Sequence, residues 1–169
     1  MLNVTYSDFK NLSWVNWLDP LKHVNRNFDQ KTFKELEFDK IQLNLTRSKI
    51  IENLSFQLFS KRKLLKEIFE KDSNGTNYVG LNTNLIDNLI LNLLNYLNDA
   101  NDNKNSDEVL ILALGGYGRG ELAPKSDIDL LFLVKNKNSY EIRLNDSEKI
   151  IKEFLYFLWD LGFSVGHST

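Results

Sequence analysis

The stretch VLILALGGYGRGELAPKSDIDLLFLV, residues 109–134, contains two short apolar runs joined by a glycine-rich turn and an Asp-x-Asp pair. VLILAL (109–114) lies between a polar loop and Gly115-Gly116, so it reads as a strand buried on both faces. IDLLFLV (128–134) reads as a second strand of the same kind. Side chains two apart on a strand share a face, which places Asp127 and Asp129 together while Ile128 turns into the core.

Two carboxylates on one strand edge suit a divalent cation. Oxygen-only ligands favour magnesium, or manganese, over zinc, and magnesium commonly completes its shell with water and substrate phosphates. Asp127 and Asp129 are therefore the candidate catalytic and metal-holding residues. Gly115 and Gly116 carry no side chains, so backbone N–H groups there can approach phosphate oxygens. Arg119 offers a guanidinium fork to the same phosphates, and Ser126 a hydroxyl beside the aspartates. Lys125 reads as an exposed point charge. A glycine pair alone is usually a turn and an Asp-x-Asp pair alone is usually surface charge. Their joint placement, each bordering an apolar strand, points to nucleotidyl transfer.

The chain of 169 residues is 42% hydrophobic with a net charge of −2, enough for one sizeable core and a small helical appendage. It lacks the basic footprint that nucleic acid selects, so small nucleotides or a protein are the expected partners. There is no cysteine, and His23 and His167 are the only histidines, which makes zinc chemistry improbable. The first residues carry neither a basic n-region nor an apolar h-region, and no apolar run approaches the ~20 residues that span a bilayer. A cytoplasmic protein without membrane contact is expected.

Residues 1–40 contain Trp14, Trp17, Phe28, Phe33 and Phe38 without a sustained period and read as an irregular or partly helical lead. From about 41 to 70, Leu54, Leu58, Leu65, Ile68 and Phe69 approximate a helical stripe, with Lys61, Arg62 and Lys63 on the solvated face. KDSNGTN (71–77) stops that helix. A second helix carries Ile86, Leu89, Ile90, Leu93, Leu94 and Leu97, with Asn84 as its N-cap. NDANDNKNSDE (98–108) reads as an exposed loop. A third helix spans about 147–161, with Asn145 and Glu148 as a capping box, and a new strand begins at Phe163. The pattern is an α+β domain whose small sheet is incomplete at the C-terminus. The expected division is a helical N-terminal region, 1–80, and a partial catalytic domain, 81–169.

Gly115-Gly116-Tyr117-Gly118-Arg119-Gly120-Glu121-Leu122, followed by Ser126-Asp127-Ile128-Asp129-Leu130-Leu131, resembles the nucleotidyltransferase domain of the bacterial bifunctional uridylyltransferase/uridylyl-removing enzymes that modify the nitrogen-regulatory protein PII. Trp159-Asp160-Leu161-Gly162 and Val165-Gly166-His167-Ser168 resemble the next segment of that family. The resemblance is specific from Val109 to Thr169. It implies a DNA polymerase beta-like nucleotidyltransferase fold, a small mixed sheet with flanking helices. It further implies transfer of UMP from UTP to a tyrosine of PII, with magnesium held at Asp127 and Asp129. The family's downstream phosphohydrolase and glutamine-sensing domains are not matched within these 169 residues, so the chain is expected to be a fragment of a larger enzyme that carries them.

The superfamily's third carboxylate, a general base on a later strand, is also unmatched. Glu148, Glu153 and Asp160 belong to the third helix, where a solvated face or cap is their expected role. A missing general base costs on the order of 10²- to 10⁴-fold in rate, so weak or no autonomous activity is expected. His167 is expected to be structural or exposed, and Trp14 and Trp17 to pack a helix face. Glycine turn and aspartate pair handle triphosphate and metal only, so the base stays open. The alternatives are another nucleotidyltransferase, such as an adenylyltransferase relative, or a non-catalytic regulatory module of the same fold.

Overall fold

The computed structural model describes residues 30–100, 109–134 and 142–168. Three helices lead the chain: α1 (Gln30–Leu36), α2 (Arg47–Asp72) and α3 (Gly75–Ala100). Strand β1 (Val109–Ala113), a single helical turn α4 (Gly115–Gly118), strand β2 (Ile128–Val134), helix α5 (Ile142–Asp160) and strand β3 (Val165–Ser168) follow. This is the expected α+β fold with a small mixed sheet. Trp14, Trp17, His23 and Phe28 lie outside the described residues, as does the stretch 101–108.

Local chemistry sets the helix ends. Thr46 caps α2 by accepting the Lys49 N–H, and Ser73 closes it in the left-handed conformation, its N–H returning to the Phe69 carbonyl at 2.8 Å. Asn74 accepts the Asn77 N–H at 3.1 Å and so starts α3 at once. A two-residue link turns the chain back on itself.

The second helix therefore begins at Gly75, not beside Asn84. Gly75, Gly80 and the Asn/Thr cluster 82–84 have poor helix propensity, and packing overrides it: Leu81, Leu85 and Ile86 are fully buried. Residues 98–100, expected in the loop, form the last turn of α3. The third helix likewise begins early, at Ile142, which puts Asn145 and Glu148 inside α5 and removes their capping role. Glu148 pairs instead with Lys152 at 3.4 Å along the helix face.

Strands β1 and β2 are antiparallel, with Val109 opposite Val134 and Ala113 opposite Leu130. The crossover through α5 makes β2 and β3 parallel, and the order is β1-β2-β3. Ile128, Leu130 and Phe132 are buried against α3 and α5, with Phe132 and Phe154 edge to face at 6.1 Å. Each such side chain contributes roughly 1.5–3 kcal/mol through burial.

Burial on both faces is not what the strands show. All of β1 is half-buried, and Leu131 and Leu133 of β2 are half-buried beside Asp129. Helices pack on one face of the sheet, so the alternation of a one-sided sheet prevails. A second cluster, Leu36, Leu58, Leu65, Leu81 and Leu85, joins α1, α2 and the start of α3. The expected solvated row is partly engaged: Lys61 lies over the Phe38 ring and donates to the Glu35 carbonyl, and Arg62 lies over Phe163.

Candidate active site

The chain leaves β1 at Leu114, whose N–H donates to the Asp129 carbonyl at 2.9 Å. That bond carries the strand pairing up to the turn. Gly115 then takes a positive φ of 58°, which directs the backbone into α4. A Cβ on Gly115 would sit 2.9 Å from Asp129 Oδ2, and one on Gly166 would sit 2.5 Å from Asp129 Oδ1. The Asp129 carboxylate thus lies in a slot walled by two residues without side chains. Gly166 reaches that place because the parallel register sets it opposite Asp129.

Ile128 is fully buried while Asp127 and Asp129 on either side of it are exposed. The Ile128 N–H donates to the Ser164 carbonyl at 2.9 Å, fastening the aspartate segment to the approach of β3. Asp129 lies within β2, and Asp127 lies just before it. Lys125, just before them, is exposed and holds a positive φ of 65°, a conformation costly for a side-chain-bearing residue. The Ser126 N–H closes this bend on the Ala123 carbonyl at 3.1 Å, and Ser126 itself is exposed next to Asp127.

Gly116 is held by the Glu121 N–H, which donates to its carbonyl at 2.9 Å. Arg119, expected on phosphates, lies along the turn with its Nε 3.1 Å from Glu121 Oε2. Both side chains are about two-thirds exposed. Such a pair is worth about 0–1 kcal/mol, so the Arg119 guanidinium is only weakly held.

The turn is fixed from behind by β1 and α3, through contacts not expected from the sequence. Gly118 passes so close to β1 that a Cβ would lie 2.5 Å from the Ala113 carbonyl oxygen. Tyr117 is buried, and its hydroxyl donates to Asp87 Oδ1 of α3 at 2.6 Å. Burial, and secondarily the Asp87 charge, pushes the Tyr117 phenol well above its ordinary range. Asn82 donates to the Leu122 carbonyl at 2.7 Å, and the Leu122 N–H donates to Thr83 Oγ1 at 3.0 Å. The available signal was the run of three consecutive polar residues Asn82-Thr83-Asn84 directly before the apolar stripe of the helix.

Among the described residues, no group of three or more Asp, Glu, His or Cys side chains could hold a metal ion together. Asp160 is engaged elsewhere, in a 2.7 Å ion pair with Arg47. His167 lies opposite Leu130, one register step from Asp129, and its ring meets Trp159 at 6.1 Å. No described helix is long and apolar enough to cross a membrane.

Residues 94–164 match the family model for the nucleotidyltransferase domain. The chain is 38% identical over 127 residues to a bifunctional uridylyltransferase/uridylyl-removing enzyme of Caulobacter vibrioides, covering 73% of this chain and 13% of that protein. It is 39% identical to the enzyme of the same description from Azospirillum brasilense, with the same coverage. With that of Erythrobacter litoralis it shares 33% identity over 111 residues, covering 63% of this chain and 12% of the relative. The chain therefore aligns with only about an eighth of the length of these curated relatives. No solved structure matches it. From the end of α3 to the approach of β3 the chain matches the nucleotidyltransferase domain model, and over 127 residues it is similar to a small part of the bifunctional uridylyltransferase/uridylyl-removing enzymes.

Proposed function

We propose that this chain is the nucleotidyl-transferring part of an enzyme that moves UMP from UTP to a tyrosine hydroxyl of the protein PII, in cytoplasmic nitrogen signalling. The observation that carries this reading is the glycine-walled slot around Asp129, beside the exposed Asp127. In the same reading, residues 81–169 hold the chemistry and 1–80 form a helical lead.

The residues fit a hard divalent cation. Asp129 is exposed, its carboxylate is uncrowded by neighbouring side chains, and both donors are oxygens. Magnesium, or manganese, held by Asp127 and Asp129 would neutralise triphosphate charge and stabilise the departing pyrophosphate. The chain's own part is placement. Gly115 and Gly116 let the phosphates approach the backbone, Arg119 exchanges Glu121 for a phosphate oxygen, and Ser126 offers a hydroxyl next to Asp127. The tyrosine oxygen attacks the α-phosphorus, the bond from that phosphorus to the bridging oxygen breaks, pyrophosphate leaves, and the hydroxyl proton passes to a base. No described side chain is assigned as that base.

The test is calorimetric binding of UTP and of ATP with and without magnesium, to wild type, Asp127→Asn and Asp129→Asn. The expected result is magnesium-dependent UTP binding, weaker ATP binding and a loss of roughly tenfold or more in either variant, since each removes a charge-assisted ligand. Tighter ATP binding would favour an adenylyltransferase relative. A second reading is a regulatory module that binds nucleotide without transferring it. Transfer of label from α-labelled UTP to PII separates the two.

A further inference from the structure

Helix α3 contributes no group to the proposed reaction, yet it buries three polar residues in succession, Asn82, Thr83 and Asn84, with the half-buried Asp87 one turn on. Burying polar side chains is costly unless each finds a partner. Asn84 accepts from Asn88 within the helix at 3.2 Å. The remaining three all reach one place, the turn that follows β1.

Their partners bracket that turn. Asp87 accepts the Tyr117 hydroxyl at 2.6 Å on its first half. Asn82 and Thr83 take both backbone groups of Leu122 at its end, at 2.7 and 3.0 Å. Thr83 and Asp87 are four apart and share a helix face. Thr83 also donates to the Val79 carbonyl at 2.8 Å, which orients its oxygen toward the Leu122 N–H. Only residues 118–121 lie between the anchors, and Gly115-Gly116 lie immediately before them, Gly115 against the Asp129 carboxylate.

We propose that Asn82, Thr83 and Asp87 of α3, together with Tyr117, are positioning residues that clamp the glycine turn in register with Asp129, so that the nucleotide meets a preformed surface. The clamp acts at a distance from the phosphates, through the turn backbone. A site held in place before binding avoids the ordering cost of an adaptable loop. This inference rests on the nucleotide-binding role proposed for that turn.

The experiment uses the full 169-residue chain and two readouts: amide hydrogen exchange of residues 115–122 without nucleotide, and the Kd for magnesium-UTP. Tyr117→Phe and Asp87→Leu should each speed exchange across the turn and weaken UTP by about tenfold, the usual worth of one buried hydrogen bond. Thr83→Val should free the Leu122 amide in particular, because it removes that amide's acceptor. Asp87→Asn keeps an acceptor oxygen and should stay within about twofold of wild type on both readouts. Leu58→Ala, in the separate leucine cluster, should lower the melting temperature while leaving turn exchange and Kd unchanged. The clamp is overturned if Tyr117→Phe leaves turn exchange at its wild-type rate, or if Leu58→Ala moves both readouts as far. A wild-type chain that binds no UTP would defeat the functional reading, and the nucleotide-free exchange pattern would still decide the clamp.

Discussion

Gly166 stands opposite Asp129 in the parallel β2–β3 ladder, with its missing Cβ position 2.5 Å from Asp129 Oδ1. A strand ordinarily gains from β-branched residues. Here any side chain would drive into the carboxylate proposed to hold the metal. Gly166→Ala should therefore rotate Asp129 away with little loss of fold, since the side chain that must yield ends at an exposed carboxylate. The expected outcome is a loss of about 10²-fold in magnesium-dependent UTP binding, the scale of an ångström-sized misplacement, with a melting temperature near that of wild type. Wild-type UTP affinity in Gly166→Ala would show that the slot around Asp129 is unimportant.

The glycines differ in what surrounds them, and this separates two further substitutions. Gly118 would place a Cβ 2.5 Å from the Ala113 carbonyl oxygen, a backbone atom that cannot move without bending β1. Gly118→Ala should cost about 1–3 kcal/mol as overpacking. Gly75 meets nothing within 4 Å and begins α3. Gly75→Ala should be neutral or stabilising by up to ~1 kcal/mol through reduced chain entropy. Urea unfolding of both variants checks the pair, and equal effects would contradict the distinction.

Much of this was legible in the sequence, for physical reasons. Short apolar runs bounded by turn residues located both strands of the central unit, and the 3.6 period located the buried stripes Ile86 to Leu97 and Ile150 to Leu158. Turn chemistry at Gly115-Gly116 and the i, i+2 placement of Asp127 and Asp129 located the candidate site. What escaped were features decided by tertiary contacts. Gly75, Asn77 and Gly80 weaken local helix propensity, so α3 begins where its neighbours, not its own residues, make it form. Asn84 looked like a cap because a buried asparagine and a cap asparagine are indistinguishable without the partner. The half-buried Leu131 and Leu133 looked like core because hydropathy does not reveal which sheet face helices will cover. The pairing of Tyr117 with Asp87 is separated by 30 residues and leaves no local signature.

Phe154 fills the space between β2 and α5, fully buried, with Phe132 edge to face at 6.1 Å. Phe154→Ala should cost about 3–5 kcal/mol, combining lost burial, a cavity and the lost aromatic contact. Phe154→Leu should cost appreciably less. Denaturant midpoints order the two, and a near-neutral Phe154→Ala would mean that the sheet is not held by this contact.

The Tyr117 phenol supplies a pH dependence whose sign can be worked out. Its folded pKa is pushed well above the ordinary value, chiefly by burial and then by the Asp87 carboxylate, while in the unfolded chain it titrates near ~10. The folded state therefore holds the proton more tightly. Its contribution is fully present below pH ~10 and is lost as pH rises from there toward the folded value. Wild type should lose stability progressively in strong alkali, with the Tyr117 phenolate absorbance emerging together with the loss of helical circular dichroism. Tyr117→Phe should start about 1 kcal/mol less stable at neutral pH, having lost one hydrogen bond, and then fall less steeply above pH 10. Parallel alkaline profiles in the two proteins would mean that Tyr117 ionises in the folded state without resistance, and that the hydroxyl is not sealed between α3 and the turn.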